Sequence, residues 1–323
     1  MLKLKNKRVL VTGGAGFVGS HIVDRLVEGG DEVVVLDNLS TGNKRFLEDS
    51  VKEIEFINGD LLDKKTVDKA VNGVDYVFHM AANADVKDNL KEPLKCLEQN
   101  TIATSNLLES MRKNDVKGIA FPSTGSVYGE PEIHPTPEDA PFPTQTSLYG
   151  ASKLACEGLL EAYSEGYGIN ASIFRFVSLM GERYSHGCVF DFYKKLQKNP
   201  KELEIHGDGK QRKSYLYVKD CVNAMFTAIE NSKEKMSIVN LGQDDYIEVT
   251  PIAEIVCEEL GLRNVKFKYT GGERGWIGDS PFIHLDITKI RSYGWKPTKS
   301  IPECVMLTIN WLKDNKWALE RSK

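Results

Sequence analysis

Short runs of apolar residues recur along the first half of the chain, and each ends at glycine or polar residues. Such runs predict strands that are buried on both faces of a parallel sheet, and the segments between them have helical length. The predicted strands are Arg8–Thr12, Glu32–Asp37, Ile54–Asp60, Asp75–Met80, Ile119–Ser123 and Ala171–Phe176. The predicted helices are Gly16–Glu28, Lys64–Val71, Pro93–Asn114 and Tyr149–Tyr167.

Strict alternation of strands and helices predicts an α/β fold with a doubly wound parallel sheet, the Rossmann arrangement. After Phe176 the rhythm changes, because strands become fewer and glycine-rich breaks interrupt the pattern. We therefore expect a dinucleotide-binding domain over residues 1–177, to which segments around 214–245 return. Most of residues 178–323 should form a smaller, partly interleaved C-terminal domain that binds the substrate.

Composition narrows the function classes. The 323 residues include 42 Lys and Arg against 46 Asp and Glu, a net charge of -4 that gives no basis for nucleic-acid binding. No apolar stretch approaches the roughly 18 residues that span a bilayer, and no signal peptide is predicted. The six cysteines form no Cys-x-x-Cys, and no histidine or carboxylate spacing suits a metal. Reduced thiols, a cytoplasmic location and no metal site are expected.

A glycine triplet, Gly13, Gly16 and Gly19, lies between the first predicted strand and helix. Glycines there permit a tight turn and close approach of a pyrophosphate, which the helix N-terminus attracts. Asp37 ends the second strand, where a carboxylate accepts hydrogen bonds from ribose hydroxyls and repels a 2′-phosphate. No basic residue follows it directly, so NAD is favoured over NADP. Asp60 ends the third strand and could bind the adenine amino group or cap a helix.

Tyr149 and Lys153 are four residues apart, so they share one face of a helix. An ammonium in that place can lower the pKa of a phenol from about 10 toward neutrality. A phenolate can then remove an alcohol proton while hydride leaves the same carbon. The pair predicts carbonyl–alcohol redox chemistry. His79, at the end of the fourth strand, is expected to lie at the cofactor rather than to act as an acid or base.

These motifs resemble those of the extended short-chain dehydrogenases/reductases, in the nucleotide-sugar epimerase/dehydratase group, along nearly the whole chain. The resemblance rests on Thr12–Gly19, Asp37-Asn38, Gly59-Asp60, His79–Ala82, Asn100, Ser123–Gly129 and Tyr149–Lys153. Within the group the chain is most similar to UDP-glucose 4-epimerases of the archaeal type. The resemblance implies NAD contacts from Phe17, Val18, Asp37, Asn38, Asp60, Leu61, Ala81 and Asn100.

The segment after the fifth strand separates the reactions of this group. By position, Thr124 matches the family's catalytic serine or threonine, which bonds the reacting sugar oxygen. In 4,6-dehydratases an Asp-Glu pair follows that residue, and UDP-glucuronate decarboxylases have a glutamate at the position of Ser126. This chain has Gly125-Ser126 instead, which favours reversible oxidation at C4. Alternatively, Ser123, Thr124 and Ser126 simply end a strand.

The resemblance is looser in the second half. Arg274 and Asp279 resemble the family's diphosphate-binding arginine and ribose-binding acid, with a solvated loop as the alternative. Lys213 stands in the place of a second phosphate-binding arginine and can act as a point charge. Ser178 replaces a substrate-contacting asparagine. Ile283 replaces an aromatic residue that limits the sugar pocket, so the pocket should accept a 2-acetamido group.

Together these features predict an NAD-dependent epimerase that interconverts UDP-glucose and UDP-galactose, and also their N-acetylated counterparts. The alternatives are a decarboxylase, a 4-keto reductase, or a non-catalytic NAD-binding regulator that would have no use for an activated phenolate. The resemblance also implies a homodimer through the helices near Lys95–Asn114 and Tyr149–Tyr167. Apolar residues there could serve either that interface or the sheet: Leu94, Leu97, Leu107, Leu108 and Met111.

Overall fold

A parallel sheet forms the centre of the computed structural model, which describes residues 5–86, 90–142 and 144–320. Its strands are β1 (Arg8–Thr12), β2 (Glu32–Asp37), β3 (Ile54–Asn58), β4 (Tyr76–His79), β5 (Gly118–Thr124), β6 (Asn170–Phe176) and β11 (Met236–Leu241). They lie in the order β3-β2-β1-β4-β5-β6-β11, and each neighbouring pair is parallel. The predicted doubly wound α/β fold is confirmed. The prediction that the chain starts without a signal peptide concerns residues 1–4 among others, and these four lie outside the described residues.

Helices pack against both faces of the sheet because its strands are apolar on both sides. In β1, Val9 and Val11 join the core on one face and Leu10 joins the core on the other. The helices are α1 (Phe17–Glu28), α2 (Lys64–Val71), α3 (Pro93–Cys96), α4 (Ala103–Lys113), α5 (Leu148–Tyr167), α6 (Cys188–Lys198), α7 (Val218–Asn231), α8 (Val249–Glu259), α9 (Thr288–Ser292) and α10 (Ile301–Asp314). Within the described ranges, none of them is both long and apolar enough to cross a membrane.

The long helix predicted over Pro93–Asn114 is not regular. A π-helical turn, Leu97–Ile102, separates α3 from α4. Single π-turns inside helices often occur at functional sites. This turn contains Asn100, whose buried amide bonds to two neighbouring segments, so tertiary contacts override the local helical pattern.

Short strands build the second half of the chain. They are β7 (Ser178–Met180), β8 (Glu202–Ile205), β9 (Arg212–Lys213), β10 (Tyr215–Tyr217), β12 (Ile247–Glu248), β13 (Lys266–Tyr269) and β14 (Phe282–Ile283). β10 pairs with β7, β13 pairs with β8, and β9 lies between β12 and β14. β11 lies within the segment around 214–245 and pairs with β6 at the edge of the main sheet.

The apolar residues considered for a dimer interface fall into two sets. Leu107, Leu108 and Met111 are fully buried and pack in the core beneath the sheet. Leu94 and Leu97, in contrast, are 66% and 48% exposed. The first three therefore stabilise the sheet, and only the latter two present apolar surface to solvent.

Candidate active site

The turn from β1 to α1 fits closely against its neighbours at two glycines. Gly13 has a φ of +67°, and a Cβ atom there would lie 2.6 Å from the backbone nitrogen of Ala81. A Cβ at Gly19 would lie 2.2 Å from the carbonyl oxygen of Gly13. Gly16 is the N-cap of α1 and, as a glycine, forms no side-chain cap bond to the first N–H groups of that helix. A helix start of this kind suits an anion such as a pyrophosphate.

Asp37 lies beside this turn and is buried. Its Oδ2 accepts a hydrogen bond from Ala15 N at 2.9 Å, and its Oδ1 accepts one from Leu39 N at 2.7 Å. Glycine is favoured at position 42, because a Cβ atom there would lie 2.8 Å from Oδ1 of Asp37. The carboxylate is thus fixed at the carboxyl end of β2, where the sequence predicts ribose binding.

Asn38 and Asp60 form a second polar pair at this end of the sheet. Asn38 Nδ2 donates to Asp60 Oδ2 at 2.8 Å, and Asp60 Oδ1 accepts from Leu62 N at 2.9 Å. The alternative interpretation of Asp60 as a helix cap does not hold, since Asp63 is the N-cap of α2. Leu61, directly after Asp60, is buried in the apolar core on one face of the sheet.

Thr124 and Tyr149 meet where β5 ends and α5 begins. The phenol of Tyr149 lies next to the Thr124 side chain, and Thr124 Oγ1 accepts from Ser126 N at 3.1 Å. Ser147 caps α5 by accepting from Gly150 N at 3.0 Å, which fixes the first helical turn. Burial raises the pKa of the Tyr149 phenol well above its usual range, while the Thr124 hydroxyl acts in the opposite direction.

Lys153 lies one turn further along α5 and is only 2% exposed. Its Nζ lies over the ring of Phe121, 4.0 Å from the centroid. Burial lowers the pKa of Lys153 to about 8, and Cys156 and Glu157 oppose that shift. The expected lowering of the Tyr149 pKa by Lys153 is not what the structure shows. Desolvation of the phenol outweighs other influences, and the ammonium contacts an aromatic face.

His79 is a buried structural residue. One ring nitrogen is 2.7 Å from Thr12 Oγ1, and the other is 2.9 Å from Thr104 Oγ1. Burial, followed by the charge of Lys153, lowers the pKa of His79 to about 3, so the ring is neutral near pH 7. Because both ring nitrogens of His79 are hydrogen-bonded to threonine hydroxyls, neither is available to transfer a proton to a bound molecule.

Asn100 connects the loop after β4 to α5. Its Oδ1 accepts from Asn83 N at 2.7 Å, and its Nδ2 donates to Ser152 Oγ at 2.8 Å and to Asn83 O at 3.1 Å. Ser152 in turn donates to Tyr149 O at 2.8 Å. In this structure the amide of Asn100 therefore holds the segment next to Ala81 against the helix that carries Tyr149.

The residues predicted to hold phosphate and ribose come together on the substrate side. Lys213 Nζ lies 2.5 Å from Asp279 Oδ1, and Arg274 NH1 donates to Asp279 O at 3.1 Å. Arg274 also forms an ion pair with Glu130, in the segment that follows Thr124 in the chain. Two cations and two carboxylates, Asp279 and Glu130, thus cluster beside that segment.

Ile283 and Ser178 approach the same place from two strands. A Cβ at Gly125 would lie 3.2 Å from Cγ2 of Ile283, so Ile283 contacts the residue directly after Thr124. In β6, Phe176 is the register partner of Thr124, and Ser178 follows two residues later in β7. The structure therefore gathers both residues at the carboxyl end of the sheet.

Sequence reasoning missed several residues that bond to this site. Gly42 could have been found from sequence, because it follows the strand that ends at Asp37. Ser152 could also have been found, because it lies between Tyr149 and Lys153. Glu157 and Arg175 could not have been found in this way, since 18 residues separate them and only the fold brings them together. Among the described residues, no group of His, Cys, Asp or Glu could hold a metal ion.

Comparison with known proteins assigns the architecture to a family. A profile described as the NAD dependent epimerase/dehydratase family matches residues 9–242. The chain belongs to this family. It is accordingly an enzyme of the NAD-dependent epimerases and dehydratases, as the resemblance in its motifs implied.

Relatives of the chain perform more than one reaction of the family. A Methanocaldococcus jannaschii protein, provisionally named a UDP-glucose 4-epimerase, is 38% identical over 95% of this chain and 99% of its own length. UDP-glucuronic acid decarboxylase 1 of Xenopus tropicalis is 31% identical over 95% of this chain and 72% of its own length. The epimerase/dehydratase family is thus certain, while the reaction must be argued from the site.

A solved structure of a relative contains the cofactor NAD. The Thermus thermophilus UDP-glucose 4-epimerase in complex with NAD is 34% identical, with a TM-score of 0.84 over 95% of this chain and 99% of that one. NAD is the cofactor of this family. The residues present fit NAD. The start of α1 has no side-chain cap, and side chains larger than glycine at residues 13 and 19 would block the space beside it. The carboxylate of Asp37 is fixed next to this space.

Replacing Asp37 with alanine should weaken NAD and reduce its advantage over NADP. Loss of a charged acceptor costs about 1.5–3 kcal/mol, or roughly 10- to 100-fold in affinity. Affinities of both cofactors for the apoprotein measure the effect. Asp37→Asn is the matched variant: it keeps the shape and one acceptor oxygen, but it loses the charge and can accept from only one of Ala15 N and Leu39 N. If NADP binds the wild type as tightly as NAD, the role of Asp37 is wrong.

Proposed function

We propose that this enzyme is a nucleotide-sugar 4-epimerase that interconverts UDP-glucose and UDP-galactose. The observation that carries the proposal is the Thr124-Gly125-Ser126 sequence at the end of β5, beside Tyr149. The acids that the resemblance associates with dehydration and decarboxylation are replaced there by glycine and serine. The remaining groups suit removal and return of hydrogen at one carbon.

Tyr149 and Thr124 would carry the proton chemistry. The phenolate of Tyr149 takes the proton from the C4 hydroxyl, and the Thr124 hydroxyl bonds to the same oxygen. When bound, NAD supplies a hydride acceptor and a positive charge, and the latter favours the phenolate. The 4-keto sugar would then present its other face, so that hydride could come back to C4 while Tyr149 returns the proton to the C4 oxygen. In this structure burial raises the pKa of Tyr149 and Lys153 does not oppose that shift; we therefore propose that the charge of Lys153 stabilises the phenolate only once NAD and the sugar are bound.

For the 4-keto sugar to present its other face, the nucleotide must stay tightly bound while the hexose is free to rotate. Lys213, Arg274 and Asp279 lie together, which supports a diphosphate and ribose site there. Ile283 and Ser178 approach the position after Thr124, where they would border the hexose. We propose that residues 1–177 with 214–245 bind NAD and that most of 178–323 binds the nucleotide sugar.

One assay decides among the reactions. The purified protein is incubated with UDP-, GDP-, CDP- and dTDP-sugars without added cofactor, and the products are separated. Formation of UDP-galactose from UDP-glucose is the expected result, since an epimerase regenerates its cofactor. Release of carbon dioxide from UDP-glucuronate would identify the decarboxylase that the Xenopus relative suggests. In a parallel reaction with added reduced nicotinamide, its stoichiometric consumption would identify a reductase.

Ile283→Tyr should suppress turnover of the N-acetylated sugars more than that of UDP-glucose and UDP-galactose. A ring at this position would occupy space beside Gly125 that the 2-acetamido group needs. Differences of one or two carbons in an apolar pocket change discrimination about 10- to 200-fold. The ratio of kcat/KM for the two sugar pairs measures it, with Ile283→Leu as the volume-matched control. Equal loss on both pairs would show that Ile283 does not limit the pocket.

A further inference from the structure

A buried ion pair lies beneath the groups that carry the proposed chemistry. The side chains of Glu157 in α5 and Arg175 in β6 are each 2% exposed. Arg175 NH2 donates to Glu157 Oε2 at 2.7 Å, and its Nε lies 3.1 Å and 3.2 Å from the two carboxylate oxygens. Burying such a pair has a large desolvation cost, and apolar residues of similar size are often equally stable. Stability alone therefore does not explain why the pair is present.

The carboxylate of Glu157 reaches the strand that ends at Thr124. Ser123 Oγ donates to Glu157 Oε1, and Ser123 is the register partner of Arg175 across β5 and β6. Ser123 directly precedes Thr124, and Glu157 belongs to the helix that begins next to Tyr149. One carboxylate thus joins the two elements on which these residues lie.

Arg175 holds the other end of the same segment. Its NH1 donates to Tyr128 OH at 2.8 Å and to Glu138 O at 2.9 Å. The guanidinium lies 4.9 Å from the ring centroids of both Tyr128 and Phe142. Tyr128 ends the 3₁₀ turn that follows Thr124. The turn after Thr124 is therefore held at its start through Ser123 and at its end through Tyr128.

The pair also sets the charge balance around Lys153. The titratable groups that interact with its ammonium are His79 from β4, and Cys156 and Glu157 from α5. Tyr149 lies one turn before Lys153 on the same helix. Burial lowers the pKa of His79 and raises the pKa values of Cys156 and Tyr149, so these three are neutral near pH 7. Glu157 is the remaining group of this set, and its negative charge favours the ammonium.

We infer that Glu157 is a positioning residue for the reaction: through Ser123 it fixes Thr124 relative to Tyr149, and it supplies the negative charge that keeps Lys153 cationic. The inference rests on the proposed function for its kinetic consequences, but its electrostatic part does not. Arg175 contributes by fixing the carboxylate of Glu157 and by donating a hydrogen bond to Tyr128.

Two variants separate the mechanical and the electrostatic roles. Ser123→Ala removes only the tie to the strand, so kcat for UDP-glucose should fall about 10-fold with KM changed less than twofold, because a small misplacement of catalytic groups is costly. Glu157→Gln also removes the charge. Its kcat should fall further, and the decline of its rate at alkaline pH should move to lower pH by about one unit.

Titration of Lys153 tests the charge without any substrate. Lysines labelled with carbon-13 at Cε are followed by NMR, and the Lys153 resonance is assigned with Lys153→Met. The midpoint should fall in Glu157→Gln and stay unchanged in Ser123→Ala. If the wild type epimerises no nucleotide sugar, the proposed function fails while this titration still decides the charge of Lys153.

Asp220→Asn is the matched control for a merely structural effect. Asp220 is a buried carboxylate that accepts hydrogen bonds from Thr298 N at 2.7 Å and Thr298 Oγ1 at 2.8 Å. This variant should lose stability without moving kcat or the Lys153 midpoint. If Glu157→Gln does not fold, the double variant Glu157→Met, Arg175→Met replaces it, because both charges then leave together. Wild-type kcat with an unchanged Lys153 midpoint in the folded variant would overturn the inference, as would equal effects in Asp220→Asn.

Discussion

Tyr149→Phe should reduce turnover of UDP-glucose roughly 10²- to 10⁴-fold, the range over which general acid–base groups contribute. The substitution removes one oxygen atom, which lies next to the Thr124 side chain and would take the C4 hydroxyl proton. The ring stays in place, so the fold and NAD binding should be nearly unchanged. Turnover, thermal unfolding and bound NAD are measured on the same preparation.

A second tyrosine of α5 provides the control. Tyr167 lies at the end of this helix and is half exposed, and Arg112 lies over its ring, a contact that phenylalanine preserves. Tyr167→Phe removes the same atom from the same helix and should keep the wild-type rate. If Tyr149→Phe also retained a near wild-type rate, Tyr149 would have no part in proton transfer.

Six of the seven strands of the central sheet could be predicted from sequence to within two residues, while the edge strand β11 was not predicted as a strand. Strands Arg8–Thr12 and Glu32–Asp37 and helix Lys64–Val71 begin and end where the pattern placed them. These elements are strongly specified because each strand is apolar on both faces, and each helix has a clear start or end signal such as the Asp63 cap.

Elements whose shape depends on distant residues could not be predicted. The π-turn Leu97–Ile102 interrupts a segment that looks like one helix, because Asn100 bonds to Asn83 and Ser152. The two-residue strands β9, β12 and β14 are too short to show a period in sequence. They exist because they pair with one another around Lys213.

The site shows the same division. Tyr149 and Lys153 are close in sequence, so spacing alone places them on one helix face. Their electrostatics depend on burial, which sequence does not reveal: the phenol pKa rises and the ammonium contacts Phe121. The Glu157–Arg175 pair likewise depends on the packing of α5 against β6.

Lys153→Met should lower the rate by at least about 10²-fold near pH 7 and should raise the pH optimum. Burial lowers the pKa of Lys153 to about 8, so the wild-type ammonium is present below that pH and is lost as the pH rises through it. The wild-type rate should therefore fall on the alkaline side near pH 8. Methionine carries no charge at any pH, so this decline should disappear, while the phenol ionises only at higher pH.

Lys153→Arg distinguishes charge from shape at this position. Arginine stays protonated throughout the accessible range, so its variant should also lack the alkaline decline, yet it should be faster than Lys153→Met at pH 7. Full pH profiles of kcat and kcat/KM for the three proteins make the comparison. An alkaline decline that persisted unchanged in Lys153→Met would mean that another group titrates there, and the charge of Lys153 would then have no role in activating Tyr149.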